Sequence, residues 1–298
     1  MGREWLLSML VVSLGGLVLQ AFSWFPPIKA GSTRGAEFER KAWLRLWCPI
    51  VPTLGIAAWL GGWTLTEPDP VHDRLGVWTL YAVWAPFAVI FARAAVRAVL
   101  ALLRRPPDSG VSTIGFIRPQ TVFSPFLAKQ LDDTVIRAAL AHERAHARHR
   151  DPLRIWLAQF VSDLQWPWPS AQRRLKAWLV ALELVRDEEA RESGVDGADL
   201  AAAVLATIRF LRQVPMGEPA TFNGTLFAHA YLIGDSLVLR ERVSRLLAPL
   251  PERAHGRAPG RLTFQVAVLV LVPVLVIAAM LGVVYGEQVM RALLALTS

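Results

Sequence analysis

The stretch His142-Glu143-Arg144-Ala145-His146, set in a segment that reads as one helix from about Asp133 to Arg150, decides how this chain is read. On an α-helix, residues four apart stand one turn apart on the same face. His142 and His146 can therefore reach one metal ion, and Glu143 can reach a water beside it. This is the H-E-x-x-H pattern of zinc peptidases, in which the histidines ligate and the glutamate is the general base. The bases Arg144, His146, Arg148, His149 and Arg150 would also suit a helix end lying on an acidic surface. The motif therefore needs support from the rest of the chain.

The chain has 298 residues, 54% of them hydrophobic and only 19% charged. That is too apolar for an ordinary soluble domain. Residues 5–28, 46–66, 75–92 and 262–286 contain no Asp, Glu, Lys or Arg. A helix needs about 20 apolar residues to cross a bilayer. Four transmembrane helices are expected, at about 5–24, 46–66, 75–100 and 262–286. The third run is short, but Arg93 and Arg97 can snorkel while the apolar pattern continues to Leu103. The first run has a longer core than a signal peptide and no clear small-residue cleavage site, so it is read as a retained span. Cys48, the single cysteine, excludes an internal disulfide and a cysteine-based metal cluster.

The net charge of +8 fits basic cytoplasmic loops. Residues 25–45, read as a short basic loop, carry a net of +3, whereas residues 66–74 carry a net of −2. The first loop is then inside and the second outside, as are both termini, and residues 104–261 form one cytosolic domain. The bases are spread over membrane flanks and helix faces, so no direct nucleic-acid contact is expected. The setting implied is a bacterial-type inner or plasma membrane.

Within the domain, residues 112–123 read as one or two short strands, with Gly115 and Pro119 breaking the alternation and marking an edge. Gly115, Phe116 and Ile117 are placed on that substrate-facing edge. Asp132 or Asp133 caps the motif helix. Asp151, as N-cap, and Pro152 start the next helix, which ends at Trp166-Pro167-Trp168-Pro169. Further helices are expected over about 170–193, 199–213 and 235–247, and the last residues, 287–298, form a short extracytoplasmic tail.

A catalytic zinc takes three protein ligands and keeps one position open. In the apolar run 177–185 the only charged group is Glu183, which would be costly to bury unless paired or metal-bound. Asp187, four residues on, shares its face and can accept a hydrogen bond from a ligand histidine. Glu188 and Glu189 are alternatives within the charged run 186–192. His229 and Tyr231 are candidate donors to an oxyanion. His149 reads as a solvated helix-end base.

The ordered set Gly115-Phe116-Ile117-Arg118-Pro119, His142-Glu143-x-x-His146, Arg150-Asp151, Trp166, Pro169 and Glu183-Leu184-x-x-Asp187 resembles the beta-lactam-sensor and methicillin-resistance-regulator antirepressor family of membrane metallopeptidases. The resemblance implies a mostly α polytopic protein with a cytosolic gluzincin-like zinc domain carrying a small β-element. It implies one zinc per chain on His142, His146 and Glu183, with Glu143 as base. It also implies cleavage of a cytosolic regulator, such as a transcriptional repressor, and of the protease itself. Arg186 stands where the family often has Cys, and Trp166-Pro167-Trp168-Pro169 replaces its Trp-Phe-Asn-Pro. The family's sensors carry an extracellular penicillin-binding domain after the last span; here about a dozen residues follow, so sensing of beta-lactams by that route is not expected. Alternatives are a membrane-protein quality-control protease of the HtpX or CAAX-protease type, and a non-catalytic membrane signalling scaffold. Oligomeric state, homo-oligomer or monomer, is left open.

Overall fold

The computed structural model describes residues 35–64, 74–103, 111–165, 168–213, 236–250 and 260–295. The protein is mostly helical, with one small antiparallel sheet. In chain order the elements are α1 (Gly35–Trp47), α2 (Val51–Thr64), α3 (Arg74–Leu103), β1 (Val111–Ile114), β2 (Gln120–Phe123), α4 (Pro125–Ala128), α5 (Asp133–Arg148), α6 (Asp151–Leu164), α7 (Pro169–Glu192), α8 (Gly197–Gln213), α9 (Ser236–Leu247) and α10 (Gly260–Ala295). The expected first span, residues 5–24, lies outside the described residues.

The largest departure from the sequence expectation is α1. Residues 25–45 were expected as a loop, yet from Gly35 they are helical. The local reason is amphipathicity: Phe38, Ala42, Trp43 and Leu46 recur on one face and are buried, while charged Arg40, Lys41 and Arg45 are exposed. A 3₁₀ turn, Cys48–Ile50, joins α1 to α2 with helical backbone angles at Trp47 and Val51. The two therefore form one nearly continuous rod.

The apolar face of α1 meets α6 and α7 in the main core. Trp43 packs on Trp178 with ring centroids 4.9 Å apart, beside Leu175, Leu179, Leu182, Ile155 and Val161. Fully burying a large apolar side chain contributes about 1.5–3 kcal/mol, so this seam fixes α1 on the domain. On the other side of α7, Ala190 packs with Ala138 of α5, Leu200, Ala201 and Val204 of α8, and Leu246 of α9. Helix α7 thus lies at the centre.

Among the described residues, two helices are long and apolar enough to cross a membrane: the rod Gly35–Trp63 and Val272–Val289 within α10. They pack backbone to backbone. A Cβ on Gly62 would lie 2.0 Å from the Ala279 carbonyl oxygen, and one on Gly282 would lie 1.9 Å from that of Trp59. Such small-residue contacts hold helices together where lipid removes any hydrophobic drive. Helix α3 reaches the domain at its C-terminal half. There Arg97 pairs with Asp163 of α6 instead of snorkelling, and Trp156 Nε1 donates to the Ala94 carbonyl at 3.1 Å.

The β-ribbon pairs Val111 with Phe123 and Ile114 with Gln120. Gly115, Phe116 and Ile117, expected on an edge strand, instead form the turn between the strands. Gly115 has φ +91°, which closes the turn, and Pro119 has no N–H to give a ladder.

Candidate metal centre

Helix α5 runs from Asp133 to Arg148 and presents His142, Glu143 and His146 on a buried face. Glu183 reaches the same point from α7, where only 1% of it is exposed. His142 Nε2 lies 3.1 Å from His146 Nε2. Glu183 Oε2 lies 3.4 Å from His142 Nε2, and Glu183 Oε1 lies 3.6 Å from His146 Nε2. A tetrahedral cation with bonds of about 2.0–2.1 Å separates its ligand atoms by about 3.3 Å. The three edges match that triangle, so this buried group could hold a metal ion.

The alternative carboxylates point elsewhere. Glu188 accepts from the Gly35 N–H at 3.2 Å, at the start of α1. Glu189 pairs with Arg148, with His149 at 2.9 Å and with Arg186 at 3.1 Å. His149 is thereby drawn away from the triad, in an ion pair rather than simple solvation.

Each ligand histidine is gripped through its other nitrogen by a buried carboxylate. His142 Nδ1 lies 3.0 Å from Asp187 Oδ1. His146 Nδ1 lies 2.8 Å from Asp151 Oδ2. Such bonds fix the tautomer and ring orientation. Asp151 was expected as a helix cap. The cap is instead Arg150, in the left-handed region at φ 53° and ψ 42°. That reversal folds α6 back so that the Asp151 carboxylate points inward at His146. Asp132 does cap α5, but without a side-chain hydrogen bond.

No protein-family model, curated protein or solved structure matches this chain.

Three further side chains support the site. The Thr113 hydroxyl, from β1, lies 2.7 Å from Glu143 Oε2 and 2.9 Å from the Glu143 carbonyl oxygen. Arg186 Nε donates to Asp151 at 2.5 Å. Arg242, on α9, donates to Asp187 from Nε at 2.5 Å and from a terminal nitrogen at 2.8 Å. Its other terminal nitrogen lies 2.9 Å from Glu183 Oε2. Asp151 reads in the sequence as a helix cap and a member of the motif set, and neither Thr113 nor Arg242 carries a local signal. Each role depends on a contact made across 30 residues or more.

These charges set the protonation of the site. Burial pushes His142 down, but the bonds from Asp187 and Glu183 outweigh it and raise it to about 9. Burial would raise both aspartates; Arg186, His146 and Arg154 hold Asp151 well below the usual carboxylate range, and Arg242 and His142 lower Asp187. The anions around it thus favour the charged form of His142. A buried His–His–carboxylate set with ionised outer aspartates therefore suits a small divalent cation.

His142, Glu143 and Glu183 form part of the wall of a cavity of about 270 Å³. Leu184, Leu200, Val204, Ile208 and Leu239 supply much of the rest. His229 and Tyr231 lie outside the described residues.

Proposed function

We propose that this protein is a membrane-embedded zinc endopeptidase of the gluzincin type, with His142, His146 and Glu183 as ligands and Glu143 as general base. The observation that carries the reading is the tetrahedral spacing of the three ligand atoms with Glu143, 2% exposed, next to His142 on the same helix. Zinc is the ion chosen because two imidazoles and one carboxylate are its usual set at a catalytic site. Zinc bound there supplies a Lewis acid that polarises the scissile carbonyl and acidifies a water.

Glu143 takes the proton from that water and later delivers it to the leaving amine. Thr113 holds one oxygen of the Glu143 carboxylate, which leaves the other to exchange the proton. Asp187 and Asp151 keep the two imidazoles facing the ion, and Arg242 keeps Asp187 charged. A peptide would lie extended beside the β-ribbon, with an apolar side chain in the cavity.

The rod Gly35–Trp63 and α10 support the membrane setting. We read the spans at about 5–24 and along α3 as the remaining two, with the catalytic domain in the cytosol. The substrate is a cytosolic regulatory protein such as a transcriptional repressor, as the resemblance implies. The purified chain should carry about one zinc. Glu143→Gln should keep that zinc and lose cleavage, because a general base contributes about 100- to 10,000-fold. Full activity in Glu143→Gln would overturn the mechanism.

A further inference from the structure

The support of His146 extends beyond Asp151. The Asp151 carboxylate also accepts from Arg154 at 3.0 Å. The other terminal nitrogen of Arg154 pairs with Glu39 of α1. Glu39 in turn accepts from Trp178 Nε1 at 2.9 Å, and the Arg154 guanidinium lies over the Trp43 ring at 5.1 Å. The side chains along this path are 0% exposed for His146 and Asp151, 15% for Arg154 and 13% for Glu39. Charged hydrogen bonds thus run without a gap from the outer nitrogen of His146 to α1.

Helix α1 also makes a polar contact with α7. Its first N–H donates to Glu188, the neighbour of Asp187. A Cβ on Gly35 would sit 2.8 Å from the Glu188 carboxylate, the flexible end of a side chain that can shift to make room. At its other end α1 runs through helical backbone into α2 and the contact with α10. A buried ion pair gains little stability over apolar residues of the same shape. Packing against Trp43 and Trp178 alone therefore gives no reason for a charged Glu39 and Arg154 at this seam.

We infer that α1 is a lever on the metal site, with Glu39 and Arg154 as positioning residues through which the membrane rod sets the hold of Asp151 on His146. The inference rests on the zinc reading above. A shift or rotation of the rod would pull Glu39 from Arg154, free Arg154 to swing, and loosen the imidazole. Metal affinity would then follow the state of the membrane helix. Coupling of this kind is reciprocal: if α1 strengthens metal binding, metal binding must steady α1 to the same degree.

The test uses the full chain in detergent micelles or nanodiscs. Zinc affinity is measured by chelator competition, and the ligand geometry by the visible spectrum of Co²⁺. Hydrogen exchange over residues 35–47 is compared with and without Zn²⁺. Glu39→Gln keeps the size and the acceptor for Trp178 but removes the charge. Phe38→Leu loosens the packing of α1 and leaves the path intact. The inference predicts that Glu39→Gln weakens zinc about tenfold, the low end of the range for outer partners of metal ligands, and alters the Co²⁺ spectrum. Glu39→Asp should recover much of the loss, Phe38→Leu should leave zinc unchanged, and Zn²⁺ should slow exchange in α1. Equal losses in Glu39→Gln and Phe38→Leu would mean general loosening and would overturn the lever. Unchanged zinc affinity in Glu39→Gln, or unchanged exchange in α1 on loading, would do the same. A wild-type chain that binds no zinc would instead defeat the metal reading itself.

Discussion

His142 is held by Asp187 on one nitrogen and faces His146 and Glu183 with the other. Removing the anion from that arrangement should show directly in the metal. Asp187→Asn and Asp151→Asn should each lower zinc affinity by about 10- to 100-fold, measured by chelator competition; unchanged affinity in both would remove them from the site. Protonation gives a second check. His142 is raised to about 9 in the metal-free protein, so a cation must displace its proton below that pH. Apparent zinc affinity should therefore rise about tenfold per pH unit over neutral to mildly alkaline pH and level off above about 9. The His142 contribution to metal-free stability runs the other way: it is present below the ordinary histidine range near 6.5 and is lost as pH rises through about 9. At this scale Glu183 was legible because a lone carboxylate in the apolar run 177–185 needs a reason to be buried. Arg242 and Thr113 were not, because an arginine on an amphipathic helix and a threonine in a strand are ordinary residues until the fold brings them to Asp187 and Glu143.

The elements differ in how far pattern alone reveals them. Helices α5, α6, α7 and α8 begin and end within two residues of expectation, because their apolar periodicity and flanking Pro and Gly mark them. Helix α1 was hidden by its charge: with five bases and two acids, residues 25–45 look like a cytoplasmic loop. What overrides this is the stripe Phe38, Ala42, Trp43 and Leu46, whose partners on α6 and α7 lie more than 100 residues away. The paired helices α2 and α10 offer a prediction of their own. Gly62 and Gly282 each face a backbone carbonyl so closely that an added Cβ would lie 2.0 and 1.9 Å from its oxygen, and no larger residue fits without separating the helices. Gly282→Leu should destabilise this pair by about 1–3 kcal/mol, the usual cost of overpacking. It should also lower the yield of a crosslink between cysteines placed on the two helices. An unchanged crosslink and unchanged thermal stability would contradict the close approach.

For the whole molecule, the account joins a metal centre to a membrane-crossing frame. The basic residues 25–45 and the domain 104–261 should lie in the cytosol, with both termini outside. Reporter fusions at Ser298 that are active only in the cytosol would reverse this and put the site on the other face. Helices long and apolar enough to cross a membrane were legible at two of the charge-free runs, 46–66 and 262–286, while the join between the rod and the site was not, because it depends on Glu39 meeting Arg154 across the fold. The central claim remains peptide-bond hydrolysis by Glu143 beside a bound zinc. Its most direct test is a comparison of protein N-termini in cells expressing the wild-type chain or Glu143→Gln at equal levels, with zinc content measured on both purified proteins. The account predicts equal zinc in the two and new N-termini, confined to one or a few cytosolic proteins or this chain, in the wild type alone. The same N-termini in both, with zinc retained, would contradict it.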